Sequence, residues 1–129
     1  MGFWTYMLIL VLLTPLTMVV FGAIFLYRPP REINHIFGYR TTMSMKSKET
    51  WDFAHKMMGK LWLILGASAI PFMVVPMLFV MNKSENTISV LAIILFVISL
   101  VPLLVPIIPV EIALSRNFDE KGNIKEPKD

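Results

Sequence analysis

The chain has 129 residues, 56% of them apolar, a formal net charge of +3 and no cysteine. Disulfide scaffolds and thiolate metal sites are therefore excluded. The composition is also too apolar for an ordinary soluble domain of this length.

Charge is segregated along the chain. Met1 to Tyr27, Leu61 to Met81 and Ile88 to Val110 hold no charged side chain. Each run exceeds the roughly 18–20 residues that cross a ~30 Å hydrocarbon core as a helix. In lipid a backbone must satisfy its own hydrogen bonds, which favours helices. The sequence predicts an all-α integral membrane protein forming a single domain over 1–129. Its three transmembrane helices fall at about 3–27, 61–81 and 88–110.

The first run reads as a retained anchor and not a cleaved leader. No Lys or Arg precedes its core, no small-x-small site closes it, and Arg28 and Arg31 follow it. Trp4, Tyr6 and Tyr27 sit where interfacial anchors are expected. Pro15 lies inside this run.

Residues 28–60 form a loop followed by an amphipathic helix. Gly38 to Ser47 lacks periodicity and reads as an ordered turn region. Ser47 is placed as a helix N-cap, with Glu49 in the first turn where the helix dipole favours a carboxylate. From Lys48 onward, Trp51, Ala54, Met57, Met58, Leu61 and Trp62 share one side, with Phe53 at its edge. Lys48, Glu49, Asp52, Lys56 and Lys60 share the other. Asp52 and Lys56 are spaced to pair at i,i+4. The helix is expected to lie along the inner membrane surface, or under the bundle, and to turn near Gly59 into the second span. His55 falls on the border between the two faces.

Pro71 and Pro76 lie in the second span; Pro102, Pro106 and Pro109 punctuate the third. Two readings stand: prolines tolerated in a membrane helix, or a broken cytoplasmic end whose freed carbonyls line a cavity. No charge lies mid-helix, which argues against a pump or an ion-coupled transporter. Glu111 opens the polar tail, 111–129. It is either an interfacial carboxylate or a partner for Arg40, Lys56 or Lys60.

Seven basic residues fall between Arg28 and Lys60, one (Lys83) between the second and third runs, and four (Arg116, Lys121, Lys125, Lys128) in the tail. The positive-inside rule then places the first loop and the tail in the cytoplasm, with the N-terminus outside. The positive charge orients the chain in its membrane and is no nucleic-acid signal.

Glu49, Asp52 and His55 stand three apart, with His35 upstream, but lack the i,i+4 histidine pair of a zinc helix. There is no nucleophile elbow and no phosphate loop. The expectation is no enzyme, no cofactor and no metal. Arg40 instead offers a planar fork suited to phosphate or carboxylate. Tyr39 and Trp51 offer amphipathic rings, and Lys46, Lys48 and Lys60 add positive potential. The rival reading has Arg40 stapling the loop to the bundle through Glu49, Asp52 or Glu111.

The stretch FGYRTTMSMKSKETWDFAHKMMGKLW resembles the signature of the SdpI family of bacterial membrane proteins. Gly38, Tyr39, Arg40, Thr41, Ser44, Met45, Lys46, Glu49, Thr50, Trp51, Ala54, His55, Gly59 and Lys60 carry the likeness. The tail NFDEKGNIK looks like the ends of family members. The resemblance implies toxin-peptide immunity or signal transduction, without enzymatic activity, in a multi-pass protein of the bacterial cell membrane. The family's named type is longer and has additional transmembrane helices. Tyr39, Arg40, Thr41, Ser44, Lys46, Glu49, Trp51, His55, Lys60 and Glu111 are the candidate binding residues. The expected partners are the lipid bilayer, a toxin peptide or cytosolic regulator, and a second copy of the chain. The alternative function is a transporter-like protein that binds a small molecule or lipid.

Overall fold

The computed structural model describes residues 2–125, so Lys128 of the tail lies outside the described residues. The elements are α1 (Gly2–Tyr27), α2 (Lys48–Leu78), α3 (Glu85–Leu104) and α4 (Ile107–Asn117). Three helical stretches are long and apolar enough to cross a membrane: α1, α2, and α3 continued through α4 over Glu85–Asn117. Among the described residues the one β pairing is an isolated bridge between Phe118 and Ile124.

The α1–α2 pair, the most extensive helix contact of the bundle, runs antiparallel and meets backbone to backbone. A Cβ on Gly22 would lie 2.7 Å from the Leu63 nitrogen and 2.9 Å from the Gly59 oxygen. A Cβ on Gly59 would lie 2.6 Å from the Leu26 nitrogen. One heptad further along, Gly66 faces the Pro15 carbonyl, where a Cβ would lie 2.9 Å from that oxygen. Small residues permit such approach, and close van der Waals packing is the main attraction between helices in lipid.

All three indoles donate to backbone carbonyls near places where regular structure ends. Trp4 Nε1 donates to the Met77 carbonyl near the end of α2 at 2.7 Å. Trp62 Nε1 donates to Leu103, just before the α3–α4 break, at 3.1 Å. Trp51 Nε1 donates to Pro30 in the loop after α1 at 2.8 Å. The break follows from Pro106, which has no N–H to continue α3. The third apolar run is thus two helices, and the Leu103 carbonyl at its break is taken by an indole.

The course of α2 and the placement of Trp4 depart from the sequence reading. The amphipathic segment and the second span are one uninterrupted helix, α2, without a turn at Gly59. Glycine there serves contact with α1, and nothing else at that point breaks the hydrogen-bond ladder. Trp4 faces inward, 9% exposed, whereas Tyr6 and Tyr27 remain outward at 60% and 72%. Outside the seams the helices present large apolar side chains such as Phe72, Phe79 and Ile93, as a lipid-facing surface requires.

Candidate functional site

The motif loop is held by a chain of hydrogen bonds that begins at the N-cap of α2. Ser47 Oγ accepts the Thr50 N–H at 3.1 Å, and Thr50 Oγ1 accepts the Ser47 N–H at 2.9 Å. This is a reciprocal capping box with threonine in the place usually held by Glu or Gln. The Thr50 hydroxyl also donates to the Ser44 carbonyl at 3.0 Å. Ser44, fully buried, accepts the Thr41 N–H at 2.8 Å and donates to the Tyr39 carbonyl at 3.0 Å. Thr41 Oγ1 accepts the Ser44 N–H at 3.1 Å. The buried Ser44 hydroxyl and the Thr41 and Ser44 N–H groups are thereby matched, as burial demands.

His55 closes the network. Its Nε2 accepts the Tyr39 N–H at 2.8 Å, and its Nδ1 lies 2.8 Å from the Trp51 carbonyl. An N–H on Tyr39 requires a lone pair on Nε2, so the proton sits on Nδ1 and is donated to Trp51. The ring packs edge-on to Phe25 at 4.9 Å and against Trp51 at 4.3 Å. Both His55 and Trp51 are fully buried. Gly38, with φ +125°, lets the loop lie on this pair: a Cβ there would fall 2.7 Å from His55 Nε2. Only glycine adopts that backbone without strain.

The tail joins the same point from the other end of the sequence. Ser47 Oγ donates to the Gly122 carbonyl at 2.6 Å. Gly122 has φ +85°, and a Cβ on it would strike Ser47. Asp119 Oδ1 accepts the N–H groups of Lys121 and Asn123, both at 2.9 Å, and folds this turn. Those bonds, Asn123 foremost, hold the Asp119 carboxyl below its ordinary range.

The candidate residues divide into two sets. Tyr39, Ser44, Trp51 and His55 are buried and structural in position, and Thr41 is half-buried beside them. Arg40, Lys46, Glu49 and Lys60 are exposed. The Arg40 guanidinium donates to the His35 carbonyl and, among the described residues, joins no carboxylate. Among the described residues the ion pair is Lys48–Asp52 at 2.6 Å, in place of the expected Asp52–Lys56 pair. Lys48 lies one turn before Asp52, so the spacing rule serves either lysine. Glu111 pairs with neither Arg40, Lys56 nor Lys60. It stands instead beside the Tyr39 hydroxyl, which is buried without a hydrogen bond of good geometry. Burial first, and the Glu111 charge second, push that phenol well above its ordinary range. Glu49, Asp52 and His55 do not converge, since the two carboxylates point to solvent and the imidazole inward. No group of metal-binding side chains forms among the described residues.

Residues 31–110 match the SdpI/YfhL protein family, a span that includes the motif, α2 and α3 but not α1 or the tail turn at Gly122. The chain belongs to that family. A 49-residue stretch is 33% identical to the uncharacterized protein YfhL of Bacillus subtilis (strain 168). The stretch is 38% of this chain and 44% of that protein, so less than half of the relative's length is covered. No solved structure matches the chain. Thr50, Gly38 and the Ser47–Gly122 contact belong to the site although they were absent from the candidate residues. Of these, the Ser-x-x-Thr spacing of the capping box and the glycine that opens the turn region were local signals, and the contact with Gly122 was not.

Proposed function

We propose that this family member acts by binding, without bond-making chemistry, in toxin-peptide immunity or signal transduction at the bacterial cell membrane. The observation that carries the reading is the division of the motif. Its inward side chains hold the loop rigidly on α2, and its outward ones present Arg40, Lys46 and Lys60 to solvent, without a carboxylate partner among the described residues. A fork donor fixed on a stiff loop is prepared for an acidic group on a peptide or a protein regulator. The distribution of Lys and Arg supports a cytoplasmic loop and tail, with the N-terminus outside. The wide apolar flanks leave room for a second copy of the chain.

The test is Arg40→Ala beside Arg40→Lys. Cells carrying each variant are compared for survival under challenge with the killing peptide, or for reporter output, with membrane protein level measured in parallel. The Ala variant should lose function at normal level, and the Lys variant should recover only part of it, because an ammonium lacks the bidentate fork. Full activity of Arg40→Ala would move the site away from the loop. Disappearance of the protein from the membrane would make Arg40 a structural staple.

A further inference from the structure

We infer that the cleft between the end of α1 and the start of α2 is a headgroup site for an anionic phospholipid. Tyr27, Arg28, Pro29, Arg31, Lys48 and Asp52 line it, around a space of about 820 Å³. That volume lies within the range of small-molecule sites. Three cations face one carboxylate, which leaves two positive charges in surplus. Asp52 is shared with Lys48, and among the described residues neither Arg28 nor Arg31 has a side-chain hydrogen bond or an ion pair. Two guanidiniums with no assigned partner match the oxygens of a phosphodiester.

The cleft is preformed. The Pro29–Pro30 step limits the loop to few conformations. The buried Trp51 indole fixes the Pro30 carbonyl at 2.8 Å, so the backbone between the two arginines is pinned to α2. Depth fits as well. Arg28 is the first charge after the apolar α1. The 31 residues of α2 extend ~46 Å, beyond a ~30 Å hydrocarbon core. Lys48 and Asp52 therefore reach the level of headgroups.

A stripe on α1 distinguishes a lipid from a soluble phosphate ester. Tyr27, Val20, Leu16 and Leu13 are spaced seven, four and three apart, on one side of the helix. They are 72%, 54%, 46% and 51% exposed. An acyl chain whose phosphate sits between Arg28 and Arg31 has that stripe to lie along, with the Tyr27 ring at the interface. Basic pockets of this kind between membrane helices suit anionic headgroups.

The experiment is native mass spectrometry of the full chain in detergent, titrated with phosphatidylglycerol, phosphatidylcholine or glycerol phosphate. Wild type should bind phosphatidylglycerol at least about tenfold more tightly than phosphatidylcholine, and Arg28→Gln/Arg31→Gln should cut that preference to under about threefold. Asp52→Asn, which removes the competing carboxylate, should strengthen phosphatidylglycerol binding, and Arg40→Gln should leave it unchanged. These substitutions fall on exposed side chains, so the fold is retained, and the Asp52 variant tests the site by gain of binding. A preference that survives in the double variant, or that falls in Asp52→Asn, overturns the assignment. Displacement of the lipid by equimolar glycerol phosphate would replace the lipid with a soluble phosphate ester.

Discussion

The backbone N–H of Tyr39 ends on the Nε2 of His55, 2.8 Å away and sixteen residues along the chain. That bond places the loop on α2, and it fixes the imidazole tautomer. His55→Phe keeps a ring in the pocket but leaves the Tyr39 N–H buried without an acceptor, at a cost of about 1–3 kcal/mol. His55→Ala adds a cavity and should cost more, about 3–5 kcal/mol. Thermal unfolding in detergent measures both. A Phe variant as stable as wild type would mean that the bond contributes nothing.

Much of this fold was legible in the sequence, and the reasons are local. Charge-free runs reveal membrane helices because the bilayer excludes charge along a whole span. The Ser47 cap was legible because a capping hydroxyl acts within three residues. Long-range assignments were not. His55 lies at a face boundary by helical angle, and only the loop folding back over it makes it interior. Gly59 has the same local signature as hinge or as contact, and Gly22, on another helix, decides which. The partner of Asp52 was ambiguous by symmetry, with a lysine one turn away on each side.

Gly59→Ala tests that contact. The new methyl would lie 2.6 Å from the Leu26 nitrogen and 2.7 Å from the Gly22 oxygen. Both are backbone atoms, so neither can swing aside, and α1 must shift as a body. The expected loss is about 1–3 kcal/mol, the usual range for overpacking. Gly2→Ala, in open space, is the control. Unchanged melting of Gly59→Ala would show that the two helices slide freely.

Topology is testable cleanly because the chain has no cysteine. Lys46→Cys and Asn86→Cys replace exposed residues outside the capping hydrogen bonds. With a membrane-impermeant thiol reagent, Asn86→Cys should label in intact cells and Lys46→Cys only after lysis. The opposite pattern would invert the chain and place the motif loop outside.

Trp51 separates a ring from a hydrogen bond. Its indole fills the space between His55 and Gly38, and its N–H alone reaches Pro30. Trp51→Phe removes the N–H and some volume, and should cost about 1–2 kcal/mol. Trp51→Ala empties a fully buried site and should cost about 3–5 kcal/mol. The two variants should differ in kind as well as in size. In Trp51→Phe the His55–Tyr39 bond remains, so the loop stays on α2 while the Pro29–Pro30 step is released. Amide hydrogen exchange should then rise at Arg28, whose N–H is bonded to the Ile24 carbonyl, and stay protected at Tyr39. In Trp51→Ala both segments should exchange faster, because the imidazole loses the ring it packs on. Equal exchange at Arg28 in wild type and Trp51→Phe would show that the prolines alone hold the loop and that the indole bond is incidental.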